Sequence, residues 1–190
     1  YVGTNDEEID DPRFETTEGG VLSCFDERTG GLVWRLVVPK LEIDRSKVSE
    51  DFDAMKLGIC STPTVEDDRV YVVTNRCEVV CLDADGLADG NDGPFTDEAS
   101  FMVPAAAKPV ALGPADADII WRFDMLRDLP VFPHDATNCS ILLAGEVAYV
   151  GTGNGVYDGR MVLPDAASLI ALDKKTGRLL ARDDGSRSEE

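Results

Sequence analysis

Short runs of Val, Ile, Leu, Tyr and Thr alternate with polar turns along this chain, and the alternation recurs three times. One run is Val21-Leu22-Ser23-Cys24-Phe25, followed by the turn Asp26-Glu27-Arg28-Thr29-Gly30 and then Leu32-Val33-Trp34. A second is Glu78-Val79-Val80-Cys81-Leu82-Asp83, which resumes after an insert at Ile119-Ile120-Trp121-Arg122-Phe123. The third is Ser168-Leu169-Ile170-Ala171-Leu172-Asp173, with the turn through Thr176-Gly177 leading to Leu179-Leu180-Ala181. A similar strand precedes each: Tyr1-Val2-Gly3-Thr4, Tyr71-Val72-Val73-Thr74 and Tyr149-Val150-Gly151-Thr152. The last two units carry one more strand upstream, at 61–65 and 140–143.

This pattern predicts an all-β chain. Its units are four-stranded antiparallel blades of a partial β-propeller, about three blades with the first incomplete, and eleven strands in all. The whole of 1–190 reads as one propeller segment, with blades at 1–39, 58–124 (insert 85–118) and 138–184. Helix is minor, a turn or two at 51–57 and at 124–129. In the Asp-x-x-Thr-Gly turns, Asp26 and Asp173 are placed to accept from backbone N–H groups two residues on, and Gly30 and Gly177 to take positive φ. A bare blade needs about 40–50 residues, so the wider spacing here leaves inserts at 5–19, 40–56, 85–118 and 155–167. The third, rich in Ala, Pro, Asp and Gly, suits an excursion on one rim. Tyr1–Asn5 reads as the end of a strand. The chain is therefore expected to be a piece of a longer protein, with any targeting segment upstream, and to self-associate or fold only marginally alone.

The formal charge of -19 argues against nucleic acid, and no apolar run reaches the roughly 18 residues a membrane span needs. Most of the acid reads as a solvated surface. The stretch from Asp83 to Asp97 invites a calcium reading but fails the EF-hand template: a start at Asp85 puts Leu87 third and Thr96 where the bidentate Glu belongs. The five cysteines form no CxxC pair, and Cys77 and Cys81, about 13 Å apart along a strand, are too far apart for a disulfide.

The spacing Cys24-x-Asp26-x-x-Thr29-Gly30-x-x-x-Trp34 resembles the tryptophan-docking motif of the quinoprotein (PQQ-dependent) alcohol dehydrogenases. Ala171-x-Asp173-x-x-Thr176-Gly177 matches it with Ala181 in place of the Trp. The second unit keeps Cys81, Asp83 and Trp121 around its insert. The resemblance implies that Trp34 and Trp121 pack between neighbouring blades, with the indole N–H reaching a backbone carbonyl, and that Cys24, Cys81 and Ala171 are small filler. Trp34 is expected to lie near the strand at 61–65. The repeat is also similar to that of bacterial envelope scaffold propellers, which bind protein segments and hold no quinone, so a periplasmic or other extracytoplasmic location is implied by resemblance only.

Candidate ligand-binding residues are Asn75 and Arg76 at the end of the second strand of their unit, Asn154 after its equivalent, and His134 and Asn138 in the approach Phe132–Cys139 to an inner strand. Arg76 could clamp a quinone carboxylate, but pairing with a nearby acid is the simpler expectation. No catalytic residue stands out, and no adjacent cysteine pair is present. The first reading is a non-catalytic propeller whose rim loops bind a protein partner. The second is a segment of a PQQ-dependent dehydrogenase, and the third a purely structural domain. No cofactor and no metal are expected for this chain alone, with PQQ and calcium admissible in a full ring. The expected partners are the remaining blades and a protein at the rim loops.

Overall fold

The computed structural model describes residues 1–44, 48–49, 52–133, 137–153, 155–157 and 159–183. Three antiparallel sheets follow one another along the chain. The first is β1 (Val2–Asn5), β2 (Gly20–Phe25) and β3 (Leu32–Val38). The second is β4 (Thr64–Glu66), β5 (Arg69–Val73), β6 (Glu78–Asp83) and β7 (Ile119–Asp124). In the third, β8 (Leu142–Ala144) and β9 (Val147–Gly151) precede a small hairpin, β10 (Val156–Tyr157) with β11 (Arg160–Met161). It is completed by β12 (Leu169–Asp173) and β13 (Leu179–Arg182). Spatial order equals chain order in every sheet. This is an all-β partial propeller, three-, four- and four-stranded, as the repeat pattern predicts; the hairpin in the 155–167 insert is additional.

The repeat is visible in the register. Cys24 pairs with Trp34, Cys81 with Trp121 and Ala171 with Ala181. On the other side Cys81 pairs with Tyr71 and Ala171 with Tyr149. Tyr1 precedes Val2, the partner of Ser23, and its ring lies 5.7 Å from that of Trp34. The Tyr71 and Trp121 rings are 6.1 Å apart. A thiol at the middle position therefore sits in a row between two aromatic side chains, which explains its small size. A register shift follows that residue in all three sheets, and such a bulge strengthens the local twist.

The turn after β2 is closed by Asp26, whose carboxylate accepts from both the N–H and the hydroxyl of Thr29, each at 2.7 Å. Asp173 accepts from Lys175 N (3.1 Å), Thr176 N (2.9 Å) and Thr176 Oγ1 (2.9 Å). The main acceptor role thus reaches three residues on, beyond the two expected, because the Thr hydroxyl turns back onto the same oxygen. Those hydroxyl bonds hold both carboxyls below the usual carboxylate range. Gly30 and Gly177 take φ of 70° and 69°.

Sheet two divides its side chains by the two-residue strand period. Val70, Val72, Val80 and Leu82 face one apolar cluster with Leu22, Trp34 and Leu36. Tyr71, Val73, Val79 and Cys81 face another with Trp121, Val150 and Leu172. Trp34 is wholly buried, and its Nε1–H donates to Ala84 O at 2.8 Å. Trp121 Nε1–H donates to Lys174 O at 3.0 Å. Ala84 and Lys174 each follow the turn aspartate of the next unit, and the glycines of those turns, Gly86 and Gly177, lie against the indoles. The indole of Trp34 therefore meets the turn after β6 and not the strand at 61–65. It stands near the start of its strand, level with its own turn, and so reaches the corresponding turn of the neighbour.

Two further expectations need correction. Residues 52–55 form turns and no helix, whereas a one-turn helix, Met125–Asp128, falls where helix is expected, capped by Asp124 accepting from Arg127 N. Pairing in β4 begins after Pro63, which has no N–H to donate. The Ser61 and Thr64 hydroxyls instead donate to Cys139 O and Ile141 O of the next unit, both at 2.6 Å, so the chain before β8 faces sheet two and β8 begins at Leu142. The 85–118 insert, expected as an excursion on one rim, also packs back onto the sheets. It carries α1 (Glu98–Phe101), and Phe101, Met102 and Val103 are buried in the first apolar cluster. Its return path runs beside β3: Arg35 N donates to Ala115 O (3.0 Å) and Ala117 N to Arg35 O (2.9 Å). Arg13, from the 5–19 insert, grips the buried Asp116 with two bonds of 2.7 and 2.8 Å.

Candidate functional site

The turn joining β5 to β6 aims a guanidinium at the insert. Thr74 N donates to Glu78 O at 2.8 Å, and Cys77 takes φ of 59°. Arg76 Nε–H donates to Glu78 Oε2 at 3.0 Å, and its guanidinium carbon lies 4.2 Å from the Phe101 ring centroid. From β7, Arg122 donates to the other oxygen, Glu78 Oε1, also at 3.0 Å, and lies 5.7 Å from Phe101 and 5.9 Å from Phe95. One buried carboxylate, Glu78, thus serves two arginines. They line a cavity of about 490 Å³ walled by Phe95, Phe101, Val103 and Pro104. An adjoining cavity of about 210 Å³ adds Lys40 and Glu42. Lys40 is itself paired with Glu18 at 2.5 Å. In a chain of net charge -19 this groove gathers two guanidiniums against an aromatic wall, with Glu78 and Asp97 offsetting their charge. Such a combination suits a carboxylate carried on a partly apolar group.

The expected site residues do not all converge here. Arg76 pairs with a nearby acid, as the simpler expectation has it. Asn75 is buried and structural in its contacts: its Nδ2 donates to Val38 O (3.4 Å) and Pro39 O (3.5 Å), tying the end of β3 to sheet two. Asn138 is exposed and lines a different cavity of about 400 Å³, together with Cys60, Cys77 and Cys139. His134 and Asn154 lie outside the described residues. Burial pushes the Cys77 thiol up to about 12 and the Cys60 thiol upward. Neither is therefore a ready thiolate nucleophile near neutral pH. Sequence reasoning missed Arg122, Glu78, Phe95 and Phe101. Arg122 was detectable as the one charge inside the apolar run Ile119–Phe123.

Among the described residues, one group of carboxylates, Asp83, Asp85 and Asp89, brings ligand oxygens within 4.8 Å of one another. Asp83 is also bound to Arg69.

Residues 17–88, which include β2 to β6 and Trp34, match the family described as outer membrane protein assembly factor BamB. Among solved structures, the chain is similar to the quinohemoprotein alcohol dehydrogenase from Comamonas testosteroni, at 17% identity and a TM-score of 0.42. That alignment covers 85% of this chain and spans 18% of the dehydrogenase. No curated protein matches the sequence.

Proposed function

Given that residues 17–88 carry a PQQ-like repeat and that the later strands repeat its register, we propose that this chain is part of a binding propeller of the cell envelope. Its insert-built groove takes a carboxylate-bearing segment of a partner protein. The observation that carries the reading is the sharing of Glu78 between Arg76 and Arg122. Each guanidinium keeps donors beyond the one spent on Glu78, and Phe95 and Phe101 shape the cavity beside them. The remaining blades of the ring are the second class of partner. Phe25, Leu32 and Val33 on the first sheet, and Leu142, Leu169 and Leu180 on the third, are exposed apolar side chains that neighbouring blades would cover.

A quinone pocket fits the described residues poorly. Arg76 and Asn75 are turned to the groove and to β3, while Asn138 faces another cavity.

Fluorescence anisotropy with an acidic, aromatic-containing peptide tests the proposal. Binding should weaken with salt, and Arg76→Ala with Arg122→Ala should reduce affinity by at least about tenfold, as expected for charge-assisted contacts. Peptide binding that the double variant leaves unchanged would refute the groove. Calorimetry with PQQ and calcium checks the competing reading: micromolar saturable binding abolished by Arg76→Ala or Asn138→Ala would replace the scaffold role with a cofactor site.

A further inference from the structure

The root of the 85–118 insert buries acid that neither the blade register nor the groove uses. Asp118, the residue before β7, is fully buried, and Glu98, the first residue of α1, is 1% exposed. Ile119 N donates to Glu98 Oε1 at 3.3 Å and Asn91 Nδ2 to Glu98 Oε2 at 3.0 Å. Asp92 N donates to Asp118 Oδ2 at 2.7 Å, while Asp118 Oδ1 is buried with no hydrogen-bond partner. Asp83 adjoins it, its N–H donating to Asp118 O at 3.0 Å. Asp83 is also a member of the carboxylate trio with Asp85 and Asp89. Among the described residues, the ion pairs of this region give Arg69 to Asp83 and give Asp118 and Glu98 no basic partner.

Removing an ionised carboxylate from water costs several kcal/mol unless an opposite charge or a proton replaces the lost hydration, and two such groups in one pocket add repulsion. The donors here are all oxygens, which favours a hard cation over zinc or copper. A linear EF-hand reading fails because it seeks every ligand within twelve consecutive residues. The fold instead returns Asp118 to the start of the loop and sets Glu98 beside it.

We propose that the root of this insert binds a divalent cation of the calcium class, with Asp118 and Glu98 as the buried ligands and the 83–92 loop closing over them. The site is separate from the arginine groove and does not depend on its reading. The ion would fasten α1 and the loop to β6 and β7.

The test uses the full chain stripped with chelator, then titrated with calcium, with magnesium as control. One calcium ion per chain should bind saturably by calorimetry. At about 100-fold excess over Kd it should raise Tm by roughly 5–10 °C. Asp118→Asn and Glu98→Gln should each weaken binding at least about tenfold. Asp118→Asn also removes the buried charge, so it should stay folded without metal and keep the measurement interpretable. Calcium binding left intact by both variants would place any ion on the exposed aspartates alone and overturn the proposal. So would the absence of saturable binding to wild-type chain shown to be folded by circular dichroism.

Discussion

The two sheet-to-sheet interfaces use the same indole device and are backed by different chemistry. Between sheets one and two, Trp34 is sealed in by the insert: Phe101, Met102 and Val103 join its cluster, and Ala115–Ala117 run along β3. Between sheets two and three, Trp121 is 3% exposed and shares its cluster with Met125, Leu129 and Val131, from the connection after β7, and with Ala167. That junction is also laced by hydroxyls: Ser61 to Cys139 O, Thr64 to Ile141 O and Thr137 to Thr74 O. Lys174 adds an ion pair to Glu66 at 2.5 Å. The repeat thus sets how blades meet. Both junctions combine apolar burial with hydrogen bonds, and what lies outside the repeat decides whether a folded insert or a row of side-chain hydroxyls and an ion pair reinforces them.

The largest effect should come from the indoles. Trp34→Ala is expected to cost about 3–5 kcal/mol, and Trp121→Ala to fall at the lower end of that range. Chemical denaturation of the two variants gives the difference directly. Equal losses would mean that the insert adds nothing to the first junction, and the comparison would break.

The shared half of this comparison was legible in the sequence. Period-two patterning and three Asp-centred turns specify strands, their order and the indole positions, because local turn chemistry and alternation act over a few residues. The differing half was not. Phe101-Met102-Val103 is too short an apolar run to announce a core segment inside a stretch of Ala, Pro, Asp and Gly. Glu78 meets Arg122 only through the β6–β7 register, across an insert whose path no local rule fixes. Asp118 and Glu98 likewise read as two more surface acids in an acidic chain. Their burial depends on the same long-range return.

The charge buried behind the first junction should show in pH. Burial, followed by the like charges of Glu98, Asp83 and Asp92 and opposed by the Asp92 N–H, pushes the Asp118 carboxyl from 3.8 up to about 6. In the metal-free chain the folded state then holds this proton more tightly than the unfolded state. Its contribution to stability is greatest below about pH 4, is lost as pH rises toward about 6, and is flat above. Relative to Asp118→Asn, the wild type should lose on the order of 2 kcal/mol between pH 4.5 and pH 7. Urea denaturation of both proteins in chelator at pH 4.5 and pH 7 measures it. A difference that is constant with pH would remove buried charge from the account of the first junction.

Glycine substitutions should sort the turns by what lies against them. Gly30, Gly86 and Gly177 all have φ between 63° and 70°. An added Cβ at Gly30 meets nothing within 4 Å, while at Gly86 it meets the Trp34 ring and Asp116 O, and at Gly177 the Trp121 ring. Gly30→Ala should therefore cost about 1 kcal/mol, the left-handed backbone penalty alone. The other two should cost about 2–3 kcal/mol, because overpacking is added. Three similar losses would show that the indoles do not rest on these turns.

The smallest effects belong to the hydroxyls, and they test the second junction most specifically. Ser61 is 3% exposed, and its Oγ both donates to Cys139 O at 2.6 Å and accepts from Val73 N at 3.2 Å. Ser61→Ala leaves both backbone groups short of a partner and should cost about 1–2 kcal/mol. Thr64→Val, which loses one bond at a more open site, should cost about 0.5–1 kcal/mol. If these bonds and Trp121 hold one junction together, Ser61→Ala in the Trp121→Ala background should cost measurably less than in the wild type. In the Trp34→Ala background its cost should be unchanged, because that indole acts across a different pair of sheets. Double-mutant cycles by urea denaturation separate these outcomes. Coupling of Ser61 to Trp34 as strong as its coupling to Trp121 would mean that the two junctions yield as one, and that the difference in their chemistry does not divide the molecule mechanically.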